Sequence, residues 1–352
     1  MLHVRYCILG AGPSGLTFAC ALKQAGETSF LVLEKEDEVG GLCRSKEVDG
    51  SPLDIGGGHF LDLRRPTVLD FLFQYMPREE WAEHRRIATI RLRGREVEHP
   101  LEGNLWQLPI ADQIDFLQSM AEAGCVRGES QPKAFDHWVI WKLGLLVANE
   151  YLLPYNRKMW SLPLDQLGTG WLYKLPSVSF RETLKSCLER NSVGVLPGHG
   201  RFLYPVRHGY GEIWRRMGSA LGDRLCDATP VTAIDPDGKV VNGSIRYEHL
   251  ITSIPWPLWT QIATVPTEVR EAISMLKHTA MDVDYHPENQ ASPAHWIYDP
   301  DETVPFHRLL LRHNFCLGSR GYWSETNVRR AVAPDGFRHR NEFVWECDPL
   351  FE

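Results

Sequence analysis

The sequence lacks a surplus of basic charge, a paired-cysteine motif and a long apolar run. Its 38 Lys and Arg against 45 Asp and Glu give a net charge of −7, so there is no excess of cations to bind a phosphate backbone. Eight cysteines occur without a C-x-x-C pair, a pattern that disfavours a zinc site and a disulfide framework and fits a reducing compartment. We therefore predict no nucleic-acid partner and no metal site.

Signals for export and membrane insertion are also missing. The N-terminus runs into the strand-like VRYCIL without a basic leader and cleavage site. The most apolar later run, residues 138–153, contains Lys142, Asn149 and Glu150 and is too short to cross a bilayer. Because 43% of the residues are hydrophobic and 24% are charged, we expect a folded, cytoplasmic protein of two or three packed units without membrane contact.

The first 34 residues are typical of a strand, turn, helix and strand in succession. Val4 to Leu9 is an apolar run of the kind found in buried parallel strands. A turn with the pattern G-x-G-x-x-G then precedes a helical segment over residues 16–25. Residues 29–33 predict the next strand, which ends at Glu34.

This placement of the glycines predicts a dinucleotide site. The first glycine permits a tight turn, the second lets the backbone approach a pyrophosphate, and the third lets the helix pack closely on the strand. The N–H groups at the helix N-terminus face the anion. Glu34 would accept hydrogen bonds from the ribose hydroxyls, and its charge disfavours a 2′-phosphate. The predicted cofactor-binding residues of this unit are Gly10, Gly12, Pro13, Ser14, Gly15 and Glu34.

The residues after Glu34 resemble those of flavoproteins. The pair Gly40-Gly41 resembles the second fingerprint of the amine oxidase and protoporphyrinogen oxidase superfamily, which implies FAD rather than NAD. Residues 54–59 resemble the segment that these enzymes place beside the isoalloxazine, and residues 229–231 resemble the strand on the adenine side. The further cofactor contacts implied by the resemblance are Lys35, Gly40, Gly41, Leu42, Arg44, Gly57, Gly58, His59 and Val231.

The remainder of the chain alternates between helical and strand-like patterns. Helical periodicity over residues 112–123 and 135–153 predicts a helical insertion, and strand and turn patterns return after Pro197. We predict an α/β protein with a Rossmann-type FAD-binding domain, an inserted helical domain and an antiparallel β-sheet substrate domain. The predicted boundaries are 1–98 and 197–277 for the FAD-binding domain, 99–196 for the helical insertion with the substrate cleft, and 278–352 for the sheet.

Several later stretches resemble UDP-galactopyranose mutases, especially the eukaryotic type, and they extend over nearly the whole chain. In chain order they are residues 99–109, Pro154–Trp160, Tyr204–Trp214, His295–Pro300 and Pro305–Arg308. In that family the N5 atom of reduced flavin attacks the anomeric carbon, the nucleoside diphosphate leaves, and the sugar ring opens and recloses as a furanose. The resemblance thus implies a nucleotide-sugar substrate and reduced FAD, with NAD(P)H as a candidate reductant. A homo-oligomeric state is compatible with this resemblance.

The same resemblance implies roles for particular side chains. Arg308 would offer a planar fork of N–H donors to the departing diphosphate, and Tyr298 would hydrogen-bond to it. His59 would lie against the flavin, while Asn156 and Trp160 would line the cleft. These implied catalytic residues are His59, Tyr298 and Arg308.

The sequence also departs from the mutase pattern. Lys174 stands next to the position of a second diphosphate arginine, and a lysine lacks the bidentate geometry of arginine. His99 and Glu102 stand where eukaryotic-type mutases have a tyrosine and a glutamine near the nucleotide, so we expect an altered substrate. We expect no counterpart before Glu352 of the C-terminal segment with which this family closes over the flavin, so either the sequence is a fragment or another element fills that place.

Three functions therefore remain open at the level of sequence. The first is a flavin-dependent mutase acting on a nucleotide-activated sugar. The second is an FAD-dependent oxidoreductase of the amine oxidase superfamily, which would take hydride from a C–N or C–C bond. The third is an inactive relative that is retained as a binding protein.

Overall fold

The computed structural model describes residues 1–172, 177–193 and 200–347. Among them the strands are β1 (Leu2–Leu9), β2 (Phe30–Leu33), β3 (Ser45–Val48), β4 (Ser51–Asp54), β5 (Leu61–Asp62), β6 (Trp81–Arg85), β7 (Ala88–Leu92), β8 (Arg95–Glu98), β9 (Arg201–Pro205), β10 (Leu225–Cys226), β11 (Ile234–Asp235), β12 (Val240–Val241), β13 (Ile245–Thr252), β14 (Lys277–His286), β15 (Trp296–Tyr298), β16 (Arg308–Leu310), β17 (Tyr322–Asn327) and β18 (Arg338–Cys347). The α-helices are α1 (Pro13–Gln24), α2 (Pro66–Leu72), α3 (Ile110–Ala121), α4 (Phe135–Val147), α5 (Leu153–Trp160), α6 (Phe180–Glu189), α7 (Gly211–Leu221), α8 (Trp256–Ile262) and α9 (Thr267–Met275).

The chain divides into two compact units, of which unit 1 comprises residues 1–60, 64–82 and 204–276. Its main sheet has the order β10–β2–β1–β13–β12–β11, and the first four of these strands run parallel. All four residues of β2 are buried, as expected for a strand that is covered on both faces. The predicted Rossmann-type domain is confirmed, and α1 begins at Pro13, within the glycine turn.

Unit 2 comprises residues 61–63, 83–203 and 277–352. Its seven-stranded sheet has the order β18–β14–β17–β16–β15–β7–β8, and its strands pair antiparallel except where β15 runs parallel to β7. One hydrophobic core joins β7 and β8 to the helices α3 and α4 through Ile90, Val97, Phe116 and Val147. The predicted antiparallel sheet and helical insertion are therefore both present.

The observed units differ from the predicted domain boundaries. Strands β7 and β8 were predicted in the FAD-binding domain, but they belong to unit 2 together with the helical segment and the late strands. The reason is the pairing of β7 with β15, in which Ala88 lies opposite Trp296. Such a pairing joins residues about 200 positions apart in sequence, and local periodicity does not report it.

The helical segment predicted over residues 135–153 is interrupted. Gly144 has φ +81°, and a Cβ on it would collide with the main-chain oxygen of Ser119 in α3, so only glycine allows this close approach. Residues Ala148–Leu152 then form one π-helical turn before α5 begins. Across residues 1–172, 177–193 and 200–347, no helix combines the length and apolarity needed to span a bilayer.

Candidate functional site

In unit 1, the glycine turn between β1 and α1 forms a bare main-chain cradle. Gly10 has φ +95°, and a Cβ on Gly15 would collide with the oxygen of Gly10, so both positions require glycine. Gly12 has an ordinary φ of −71°, and the nearest atom to a Cβ built on it is the Cα of Gly41 at 4.0 Å. Two glycines thus face each other at the N-terminus of α1, where a pyrophosphate fits against main-chain N–H groups.

Glu34 lies at the end of β2, where a ribose would be bound. Its side chain is buried, and its two carboxylate oxygens accept main-chain hydrogen bonds from Ala11 at 2.7 Å and from Glu36 at 3.1 Å. These two bonds fix the carboxylate. Each oxygen keeps a second lone pair for a ribose hydroxyl.

The second glycine pair lies beside the same turn. Gly40 has φ +109°, and its N–H donates to the oxygen of Ala11 at 2.8 Å. The Nε of Arg44 donates to the oxygen of Gly41 at 3.0 Å, which holds the arginine against this turn. The side chain of Lys35, in contrast, is 69% exposed in an ion pair.

The segment predicted to lie beside the isoalloxazine is organised by a buried carboxylate. Asp54 is fully buried and accepts hydrogen bonds from the hydroxyl of Tyr204 at 3.1 Å and from the N–H of Tyr210 at 3.2 Å. His59 has its Nδ1 3.0 Å from the oxygen of Gly57, and its ring stacks on Tyr210 at 6.0 Å. The remaining predicted cofactor residues lie in unit 1 too: Pro13, Ser14, Leu42, Gly58 and Val231, the last of which precedes β11 rather than lying in a strand.

Unit 2 contains a cavity of about 220 Å³ whose lining includes five tryptophan and tyrosine side chains. It brings together five of the predicted substrate and catalytic residues, namely His99, Glu102, Asn156, Tyr298 and Arg308. Its lining consists of His99, Glu102, Trp138, Lys142, Leu143, Tyr151, Leu152, Tyr155, Asn156, Met159, Trp171, Tyr298 and Arg308.

Arg308 reaches the cavity from β16 and is held from behind by a carboxylate. The Nε and Nη2 of Arg308 both donate to Oε2 of Glu325, at 2.8 and 2.6 Å. Glu325 is 1% exposed and lies directly opposite Arg308 on β17. A guanidinium has five N–H donors, so the pair fixes its plane and leaves donors for an anionic ligand.

Tyr298 presents its hydroxyl between two N–H donors. Its oxygen accepts from the indole of Trp296 at 2.9 Å and from Nη2 of Arg86 at 3.2 Å. The guanidinium of Arg86 also lies over the ring of Trp296 at 4.8 Å. Because both bonds are accepted, the phenolic proton of Tyr298 is the group that it can donate to a ligand.

His99 and Glu102 contribute buried polar groups to the same lining. Burial, reinforced by the charge of Arg86, lowers the pKa of His99 to about 3, so its ring is neutral near pH 7. Burial raises the pKa of Glu102 to about 7, an effect that its own main-chain N–H and the charge of Lys142 oppose. The pKa of each side chain therefore differs from its value in water because the side chain is buried.

The two cleft residues predicted on α5 occupy different places. Asn156 lines the cavity, and its Nδ2 donates to the oxygen of Leu152 at 2.8 Å. Trp160 packs in the helical core and donates from its indole to Oδ1 of Asn156 at 3.2 Å, so it supports that side chain from the core. Lys174 lies outside the described residues.

Sequence reasoning missed Tyr155 of the cavity lining, and it missed two residues that hold Tyr298 and Arg308 in place. Arg86 and Glu325 reach Tyr298 and Arg308 through pairings that are distant in sequence, and no motif marks them. Tyr155 lies within the quoted stretch 154–160 and was therefore open to prediction. It packs edge-on against Tyr298, with ring centres 5.4 Å apart.

Comparison with known proteins bears on both units. A family profile described as a NAD(P)-binding Rossmann-like domain matches residues 8–75. A solved structure of reduced UDP-galactopyranose mutase superposes with a TM-score of 0.87, covering 97% of this chain and 82% of that chain at 22% identity. The fold is that of UDP-galactopyranose mutase. The predicted resemblance to UDP-galactopyranose mutase is thereby confirmed at the level of fold.

Matches to curated relatives are shorter. UDP-galactopyranose mutase of Mycoplasma pneumoniae is 25% identical over 174 residues, 47% of this chain and 43% of that protein. Coproporphyrinogen III oxidase of Mycobacterium tuberculosis is 41% identical over 65 residues, 18% of this chain. The match spans 14% of the length of that oxidase.

Proposed function

We propose that the protein is an FAD-dependent enzyme that interconverts the pyranose and furanose forms of a nucleotide-activated sugar. The observation that carries the proposal is the cavity of unit 2, in which the oriented fork of Arg308 and the hydroxyl of Tyr298 occur in a fold that matches the mutase over 97% of the chain. The resemblance of residues 154–160, 295–300 and 305–308 to mutase sequences supports the same conclusion.

The cradle of unit 1 fits FAD. Gly12 and Gly41 leave main chain exposed where a pyrophosphate would lie, and the fixed carboxylate of Glu34 suits a ribose without a 2′-phosphate. Bound and reduced, FAD would supply the nucleophilic nitrogen for the sugar carbon. NAD(P)H is the proposed physiological reductant.

The residues of unit 2 would hold the substrate and its leaving group. When the anomeric C–O bond breaks, the diphosphate keeps the electron pair and gains negative charge. N–H donors of Arg308 and the O–H of Tyr298 stabilise that charge without reorganising, because Glu325, Trp296 and Arg86 already hold them. The aromatic walls exclude water, and His99 accepts or donates a hydrogen bond as a neutral ring.

A second candidate is an FAD-dependent oxidoreductase. The 41% identity with coproporphyrinogen III oxidase over 65 residues favours it, since that relative is an oxidase. The two candidates differ in electron balance: a mutase returns its flavin to the starting state, whereas an oxidase passes two electrons to an acceptor in each turnover.

The deciding experiment measures that balance. The flavin-loaded protein is incubated anaerobically with UDP- and GDP-activated hexoses and a catalytic amount of dithionite, and the products are separated by chromatography. Many turnovers to a furanose product for each reducing equivalent support the mutase. In a parallel incubation with oxidised flavin and an added dye as the electron acceptor, reduction of one acceptor molecule per product would replace the mutase with the oxidoreductase. A colourless protein after refolding with excess FAD would contradict both.

A further inference from the structure

The carboxyl group of Glu102 is the feature of the cavity that an anion-binding site does not require. Its side chain is 6% exposed and lines the cavity together with the aromatic rings of Tyr151 and Tyr155. An anionic ligand alone would favour an amide or a cation at this position, since a buried carboxylate repels it.

The surroundings of Glu102 leave it able to ionise near neutral pH. Lys142 from α4 and Tyr151 from the π-helical turn face it across the cavity, and neutral His99 lies in the same loop. Helix α6 packs against this loop, where the hydroxyl of Ser186 donates to the oxygen of Gly103 at 2.9 Å. Glu182 on the same helix interacts electrostatically with Lys142. Among the described residues the carboxyl group has no ion pair within 4 Å. It accepts a hydrogen bond from its own main-chain N–H, and its remaining lone pairs can accept from a ligand.

We propose that Glu102 selects the planar group of the nucleotide, and that this group carries two adjacent N–H donors, as guanine does. The inference rests on the proposed function, which brings a nucleoside diphosphate to Arg308. A carboxylate offers two acceptor oxygens side by side, so its complement is a pair of neighbouring donors. Flat aromatic walls suit the faces of such a heterocycle.

The common bases differ in this respect. Guanine presents N1–H beside the N2 amino group, which matches both oxygens of a carboxylate. Uracil presents a single N–H between two carbonyl oxygens, and these oxygens would face the carboxylate oxygens and repel them. Cytosine and adenine present one donor beside a ring acceptor. A protonated Glu102, with one donor and one acceptor, would accept uracil instead, so the preference for guanine should weaken at acid pH.

The test is the ratio of the dissociation constants for UDP and GDP, measured by calorimetry at pH 8 and at pH 6. For the wild-type protein we expect GDP to bind about tenfold more tightly than UDP at pH 8, in line with one bidentate contact, and a smaller ratio at pH 6. Glu102→Gln, which offers one donor and one acceptor at both pH values, should lose the preference and its pH dependence. Glu98→Gln removes an exposed carboxylate of the neighbouring strand and should leave the ratio unchanged.

The outcomes separate this inference from the function on which it rests. Equal binding of both nucleotides to the wild type, tighter binding of UDP at pH 8, or an unaltered ratio in Glu102→Gln would overturn the role of Glu102 while leaving a nucleotide-sugar enzyme in place. Failure of both nucleotides to bind would overturn the nucleotide site itself. If Glu102→Gln does not fold, the wild-type ratio at the two pH values decides the matter alone.

Discussion

Arg308 and Glu325 are cross-strand partners on β16 and β17, and the buried carboxylate of Glu325 holds the guanidinium of Arg308 in place at the cavity. A lone guanidinium on a short strand would sample several rotamers. The buried partner restricts it to one, and it also offsets part of the positive charge, so recognition of an anion depends on direction more than on long-range attraction.

Replacement of Arg308 tests this arrangement. Arg308→Ala should weaken the binding of a nucleoside diphosphate roughly tenfold or more, since a charge-assisted hydrogen bond is lost. The affinity of Arg308→Lys should lie between those of the wild type and of Arg308→Ala, because lysine retains the charge without the planar fork. Calorimetry gives the affinities, and Arg127→Ala, an exposed site, serves as the control. Unchanged affinity in the alanine variant would remove Arg308 from the site.

Removal of one hydroxyl tests the role of Tyr298. Tyr298→Phe should weaken diphosphate binding roughly three- to tenfold, the value of one hydrogen bond. The ring contacts with Tyr155 and His99 are preserved, so little change in thermal stability is expected beyond the two N–H donors left without this acceptor. Tyr6→Phe in unit 1 is the matched control. An affinity equal to that of the wild type would indicate that the hydroxyl of Tyr298 serves only as the hydrogen-bond acceptor for Trp296 and Arg86.

The cofactor cradle can be tested by filling it. Gly12→Val meets no backbone strain, because φ is −71°, so loss of FAD would come from the space that the side chain occupies. We expect the purified variant to lack flavin absorbance while keeping its far-ultraviolet circular dichroism. Gly336→Val, at a glycine whose Cβ would make ordinary contact, should retain the colour. A yellow Gly12→Val protein would refute the pyrophosphate assignment.

Glu102 also makes the free energy of unfolding depend on pH. Folded Glu102 keeps its proton up to about pH 7, against an ordinary value of 4.5, so the folded state binds more protons in that interval and its stability falls as pH rises. The full cost is on the order of 3 kcal/mol. In urea unfolding at pH 5 and pH 8, the free energy of unfolding of Glu102→Gln should rise relative to that of the wild type at the higher pH. A constant difference between the two proteins would contradict the raised pKa.

Lys158 gives a prediction about stability alone. Its side chain is fully buried and donates to the main-chain oxygens of Asp299 and Asp301, at 2.8 and 2.6 Å, just after Tyr298. Lys158→Met would leave these oxygens without the ammonium, at a cost of about 1–3 kcal/mol. Lys185→Met, on the exposed face of α6, should change the unfolding free energy by less than about 0.5 kcal/mol. Equal effects of the two changes would show that burial of Lys158 is not decisive.

The sequence was most informative where a structural feature depends on consecutive residues. The turn from Gly10 to Gly15 and the strand that ends before Glu34 were predicted, because each depends on local pattern. Local pattern is silent about which distant strands pair. The membership of β7 in unit 2 and the contact of Arg86 with Tyr298 therefore required the structure.

The π-helical turn at residues 148–152 sets the angular position of everything that follows it on α5. Each residue advances a helix by about 100°, so the additional residue of a π-turn rotates the downstream face by that amount. Tyr155 and Asn156, which line the cavity, lie on the face rotated by this offset. A one-residue deletion there would preserve helicity and composition yet carry both side chains around the helix, so the length of this segment is under tighter constraint than its chemistry.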